Sequence, residues 1–433
     1  MGLIALNPQV GIYLAAATLP FYFQHKELAW VDQLIKIPPS LAITLCLLPS
    51  IMQRMWHFAL HQWAEVYRNP PQILFSRIKT TATHYALRTT HYDLLALLWL
   101  LIHLLPIVNV WHWDAYRSGL LQVGIAPLLL YMAIRLWVRS EEAQRNLLLA
   151  LLLGGTLVAG YGLWDWLAGG GVAADGVRRL VGPYFSPNHA ALFLLRSFFL
   201  ALVVAQWQRK PRALWYGVSG LLLIGMLLTA SRGALLLGLP VGVLLLLFLS
   251  HQAEGLARPR ANPTHAHVRP AWLATVIIAV LLFGIAVFLG WDRLANSATL
   301  LSRLEIWQAA LRLWKHFPLF GVGANGFFWN YPAWLSPAAT PEVNLLHPHN
   351  LWLEFATSWG IFGLFWLLAL LLSLWKTMRK GDWLVSGLCV ALIAALAHAQ
   401  VDTFTSLPDL AAWNWIVLGL IQQRTADVGH TDQ

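Results

Sequence analysis

The sequence predicts an all-α polytopic membrane protein: about twelve transmembrane helices in one integral membrane domain over residues 1–433, with one long loop of amphipathic helices on its outer side. Three observations predict it. Of 433 residues, 58% are hydrophobic and 11% charged, with a mean hydropathy of +0.60, whereas soluble domains carry about 25% charged residues. Twelve apolar runs approach the ~20 residues that a helix needs to cross hydrocarbon. Basic residues also concentrate in alternate loops, as cytoplasmic loops require. This composition excludes a water-soluble enzyme and a disordered or collagenous chain.

The runs lie at about 3–24, 38–56, 93–110, 119–137, 147–166, 189–207, 213–230, 233–250, 271–290, 350–375, 383–400 and 409–422. No basic leader with a small-residue cleavage site precedes the first, which therefore reads as a retained span. The second is the weakest, opening on Pro38 and Pro39 and ending with Gln53 and Arg54. With both termini inside, 18 of the 29 Lys and Arg fall on the cytoplasmic side against eight acidic residues, and the other 11 face an equal number of acids. The net charge of +10 thus reports orientation, and nucleic acid is not an expected partner.

Two segments are not expected to span. Residues 53–92, rich in aromatics, His and Arg and broken by Pro70-Pro71, read as cytoplasmic interfacial helices. Residues 291–349 form the one long outer loop. Within it, 299–316 places Leu300, Leu304, Trp307, Leu311 and Trp314 on one helical stripe, with Glu305, Gln308, Arg312 and Lys315 opposite. Such a helix is expected to lie flat on the membrane. Cys46 and Cys389 sit in separate apolar runs and form neither a disulfide framework nor a metal motif.

Chemistry is expected on the outer side. Arg178, Arg179, Arg196, Arg232 and Arg303 gather there, and guanidinium forks match phosphate oxygens. The bland alternative is headgroup snorkelling or pairing to Asp165 or Asp402. His347-Pro348-His349-Asn350 closes the long loop. Asn350 is a candidate helix N-cap, and a His beside it is a candidate general base. Two His with no third ligand in spacing give no metal motif, so no metal and no cofactor are expected. Glu305, Glu342 and Glu354 are candidates to orient the His. His398 and Asp402, four apart, are expected to pair on one helical face. No nucleotide-binding motif occurs.

Several motifs then converge. Gly182-Pro183-Tyr184-Phe185-Ser186-Pro187-Asn188-His189, Ser231-Arg232-Gly233-Ala234, Arg303 with Trp307, Pro318-Leu319-Phe320-Gly321-Val322-Gly323, and His349-Asn350 followed by Gly360-Ile361-Phe362-Gly363 resemble the O-antigen ligase and polymerase superfamily over residues 175–425. The His-Asn to Gly-x-x-Gly spacing is most similar to the lipopolysaccharide O-antigen ligases, although Leu364 and Phe365 stand where ligases can carry two Thr. The resemblance implies a membrane-embedded, GT-C-like, metal-independent inverting glycosyltransferase of the bacterial inner membrane with a periplasmic active site. The implied donor is a glycan on undecaprenyl pyrophosphate, and the implied acceptor is a sugar hydroxyl of the lipid A-core. It makes His349 the base and Arg232 and Arg303 catalytic phosphate-facing groups. Arg196, Arg178, Arg179, Asn188 and Asn350 are candidate substrate-binding residues beside them. A polymerase of carrier-linked repeat units, a protein O-oligosaccharyltransferase and a transporter stay open as alternatives.

Overall fold

The computed structural model describes residues 7–22, 26–30, 33–37, 39–68, 91–174, 176–208, 211–256, 284, 298–337, 339–342, 345–403 and 407–428. Eleven of the twelve expected spans coincide with helical stretches: α1 (Pro8–Thr18), α2 (Pro39–Arg68), α3 (His91–Leu104), α4 (Trp113–Gly119) running into α5 (Ala126–Trp137), α6 (Glu141–Leu167), α7 (Pro187–Trp207), α8 (Arg212–Leu228), α9 (Leu239–Leu256), then α12 (Leu351–Lys380), α13 (Trp383–His398) and α14 (Pro408–Val428). The twelfth, 271–290, lies outside the described residues, as do 69–90 of the interfacial segment. Among the described residues, six stretches are long and apolar enough to cross a membrane, and α8 and α13 are shorter apolar helices. The chain is an all-α polytopic membrane protein. Its strands are two antiparallel hairpins, β1 (Lys26–Trp30) with β2 (Gln33–Ile37) and β3 (Val172–Ala174) with β4 (Val177–Arg179).

Local chemistry explains where the helices start. Ser140, Ser186, Asn350 and Asp382 each cap a first turn by accepting a backbone N–H from within it, and Pro187 occupies an N-terminal position of α7 where no N–H is needed. Apolar on every side, α7 is buried almost throughout and forms the centre of the bundle against α6, α8 and α13.

At one end of the bundle, polar clamps tie the helices. Arg135 pairs with Asp93 at 3.2 Å and donates to Gln423 Oε1, while Arg424 reaches Asp382 and Gln144. Arg135 is therefore a buried pin within α5 and not the loop charge that the basic-residue count took it for. The second expected span also runs longer than the sequence indicates. Helix α2 continues through Pro49 to Arg68, and the Arg54 guanidinium lies over the Trp137 ring.

The long loop forms α10 (Ala298–His316), α11 (Phe327–Asn330) and a 3-10 turn at Tyr331–Trp334. The helix is where periodicity puts it, but its buried face is different. Ile306, Ala309, Ala310 and Leu313 are buried, and Ile306, Ala310 and Leu313 form a small second core with Val322, Phe327, Tyr331 and Leu345, whereas Leu304 and Leu311 of the expected stripe are exposed. Two small Ala hid that second face. Below it, α12 is broken at Gly360 (φ 61°, ψ −150°), and the 318–323 segment fills the break. Val322 and Gly323 donate to Thr357 O and Ser358 O, and Ile361 donates to Pro318 O.

Candidate active site

The site assembles at the other end of the bundle, where α7, α12 and α14 begin and α13 ends. Leu351 N donates to Ala399 O, and Asn350 Nδ2 donates to Gln400 O while its Oδ1 caps Leu353 N. Asn350 is the cap that the sequence indicates. The residue before it, His349, has φ +51°, a left-handed backbone uncommon outside glycine. That turn is held from above by Trp307 of α10, whose indole N–H donates to Pro348 O at 2.9 Å.

The left-handed turn brings His349 against Asp402. Its Nδ1 lies 3.2 Å from Asp402 Oδ1, an oxygen that also accepts the Thr403 backbone N–H. An ionised carboxylate only accepts, so Nδ1 carries the proton and Nε2 is left as the basic nitrogen. His347 completes the group. Its Nδ1 accepts the His349 backbone N–H, and its Nε2 lies 3.8 Å from Asp402 Oδ1. Burial alone would push the Asp402 carboxyl up. The hydrogen bond from His349 and the fields of His349, His347 and His398 outweigh it and hold the group below the ordinary carboxylate range. Burial, reinforced by His349, His189 and Arg303 and opposed by Asp402, pushes the His347 imidazole down to about 3.

These contacts revise three expectations. Asp402 does not pair with His398, because α13 ends at His398 and the i, i+4 geometry lapses. His398 Nε2 instead shares a 3.3 Å hydrogen bond with Ser231 Oγ. The carboxylate that meets His349 Nδ1 is Asp402, not one of the candidate glutamates. Glu305 accepts from Ser336 N and Arg312, the hydrogen bond with Ser336 leading the forces that lower its pKa, and Glu342 offers its carbonyl to Tyr331. Glu354 is buried one turn into α12. Thirdly, donor atoms of His347, His349 and Asp402 lie within 4.8 Å of one another. The third ligand that His-x-His lacked in sequence comes from a loop 53 residues away from His349.

The arginines divide. Arg303 sits half-buried one turn before Trp307 on α10, and its charge bears on His347 and His398. Arg232 follows Ser231 in the tight turn between α8 and α9. Gly233 packs against the His398 ring so closely that a Cβ there would run into it. Arg303 thus acts on the histidine cluster, and Arg232 is next in sequence to a glycine packed on His398. Arg179 is buried, donating to Thr229 O at 2.7 Å and to Asn188 Oδ1 at 2.8 Å, so Arg179 and Asn188 brace the same turn. Arg178, the preceding residue on β4, points the opposite way and stacks on Trp166 on the exposed face. Alternation along a strand separates the pair. Arg196 is wholly enclosed, donating to Leu192 O and Asn414 Oδ1. Arg178 faces away from this group, while the Arg196 charge bears on His398.

Sequence reasoning missed a further buried set. His189 Nε2 lies 2.9 Å from Asp409, and Tyr184 stacks on the His189 ring. These contacts knit the first turns of α7 and α14. The Pro-Asn-His run was the available signal, without its partner.

Residues 217–368 match the family model described as O-antigen ligase, a stretch from α8 into α12 that contains Arg232, Arg303, Trp307, His347 and His349. Over this region the chain is similar to the O-antigen ligase superfamily. The match supports an O-antigen ligase or polymerase type of function, with lipid-linked glycan and lipid acceptor as the general substrate classes. A search of curated proteins gave no match.

Proposed function

We propose that this protein is an O-antigen ligase, transferring a glycan from undecaprenyl pyrophosphate to a sugar hydroxyl of lipid A-core at the periplasmic face of the bacterial inner membrane, with both termini cytoplasmic. The observation that carries the reading is the His349–Asp402 pair, which leaves Nε2 as the basic nitrogen, with the Arg303 charge bearing on the neighbouring His347. In this reaction His349 Nε2 takes the proton of the acceptor hydroxyl, the freed oxygen attacks the anomeric carbon from the side opposite the pyrophosphate, and the carbon–oxygen electrons leave on the pyrophosphate. Inversion follows from that line of attack. Arg303 and Arg232 stabilise the growing phosphate charge in a partly dehydrated site, a task that needs neither metal nor ATP. Asp402 holds the imidazole tautomer.

The test is transfer by the purified full chain, with carrier-linked glycan and rough lipopolysaccharide, in EDTA and without ATP. The expected product is glycan-bearing core. Lengthening of the carrier-linked glycan in place of core capping would replace ligase by polymerase, and inertness toward both would reject the reading.

A further inference from the structure

We infer that His347, His349 and Asp402 also form a zinc site whose occupation shuts the enzyme off. The three residues offer two imidazole nitrogens and one carboxylate oxygen within 4.8 Å of one another. That donor set suits zinc, which takes three protein ligands in open sites and leaves a fourth position free, whereas calcium and magnesium favour oxygen ligands. The His347 and His349 rings meet edge to face at 4.5 Å, so one short turn delivers both nitrogens. Their side chains are 12% and 24% exposed and that of Asp402 is 6% exposed, so the cluster is largely dehydrated while both imidazoles keep some accessible surface.

The surrounding bonds hold these donors in place before any ion arrives. Trp307 fixes Pro348 between the two His, and Thr403 N–H fixes Asp402 Oδ1. Such outer contacts orient metal ligands and raise affinity. Binding gives up two weak interactions, the 3.2 Å His349–Asp402 and 3.3 Å His349–His347 contacts. Asp402 supplies the negative charge, and Arg303 opposes the cation, which caps the affinity.

The consequence for activity rests on the proposed role of His349. A neutral imidazole has one proton. A zinc ion on Nδ1 displaces that proton to Nε2, so the ring keeps its proton count and loses its basic nitrogen toward the acceptor. The metal would thus inhibit a reaction that runs without one.

The experiment titrates the chelator-stripped full chain in detergent with CoCl2, read by visible ligand-field absorption, then displaces it with ZnCl2, both without substrate. We expect one ion per chain, at least ~10-fold weaker binding in His347→Gln, and zinc inhibition of wild-type transfer that EDTA reverses. Asp402→Asn, measured for binding alone, tests the same site if His347→Gln does not fold. No stoichiometric ion on the wild type, or unchanged affinity in these variants, overturns the site. Stoichiometric binding to a chain that transfers no glycan leaves the site standing and fails the ligase reading instead.

Discussion

At the scale of single residues, the proposed reaction turns on which nitrogen of His349 is basic. Asp402 decides this through one 3.2 Å contact, and nothing in the spacing of the sequence announces it, because the partners are 53 positions apart. Replacing the carboxylate by an amide removes the charge and lets the imidazole adopt the other tautomer. Asp402→Asn should therefore lower kcat by about 10²-fold or more with little change in KM, read in steady-state transfer assays. The arginines make a different demand. Lys keeps the charge of Arg232 but presents a point donor in place of a planar fork, so Arg232→Lys should lose about 10²-fold in kcat. Full activity in Arg232→Lys would remove that residue from the phosphate clamp. The guanidinium pattern was legible as a set of outer-side charges, while its division was not. Arg178 and Arg179 are neighbours in sequence and face opposite ways because β4 is a strand.

At the scale of elements, the motifs that read as a signature acquire mechanical roles. Gly360 sits at a φ/ψ combination essentially confined to glycine, and a Cβ there would collide with the Leu319 carbonyl. Gly321 faces the same break with φ +67°. Their shared task is to let 318–323 enter α12 and satisfy the carbonyls of Thr357 and Ser358. Because 318–323 follows directly on α10, this joint sets where Arg303 and Trp307 lie over the histidines. Gly360→Ala should cost roughly 1–3 kcal/mol from the dihedral alone, measurable as a lower melting temperature, and should reduce transfer by the folded fraction as well. Retained stability and activity in that variant would show that the break is not required. Helices were legible from apolar run length, since that is what a bilayer selects. The buried face of α10 was not, because Ala309 and Ala310 bury against neighbours that only the tertiary fold supplies.

At the scale of the molecule, chemistry and stability occupy opposite ends of the bundle. The histidine cluster lies where α7, α12 and α14 begin, and the Arg135–Asp93–Gln423 and Arg424–Asp382 clamps lie at the far end. Breaking a buried ionic pin by removing one partner costs about 3–5 kcal/mol. Arg135→Ala should accordingly lower thermal stability in a detergent melt while leaving kcat/KM of the folded protein near wild type; an equal loss of activity would mean that the two ends are coupled. The all-α polytopic fold and the family resemblance were legible in the sequence because both rest on local patterns. The grouping of His347, His349 and Asp402 depends on three helix ends meeting, and only the assembled bundle makes it visible. The most direct test of the proposed chemistry is the transfer rate of His349→Ala at wild-type folding, judged by size-exclusion profile and melting temperature. We predict a loss of about 10²–10⁴-fold with the fold intact, and transfer at the wild-type rate would contradict the assignment of His349 as the base.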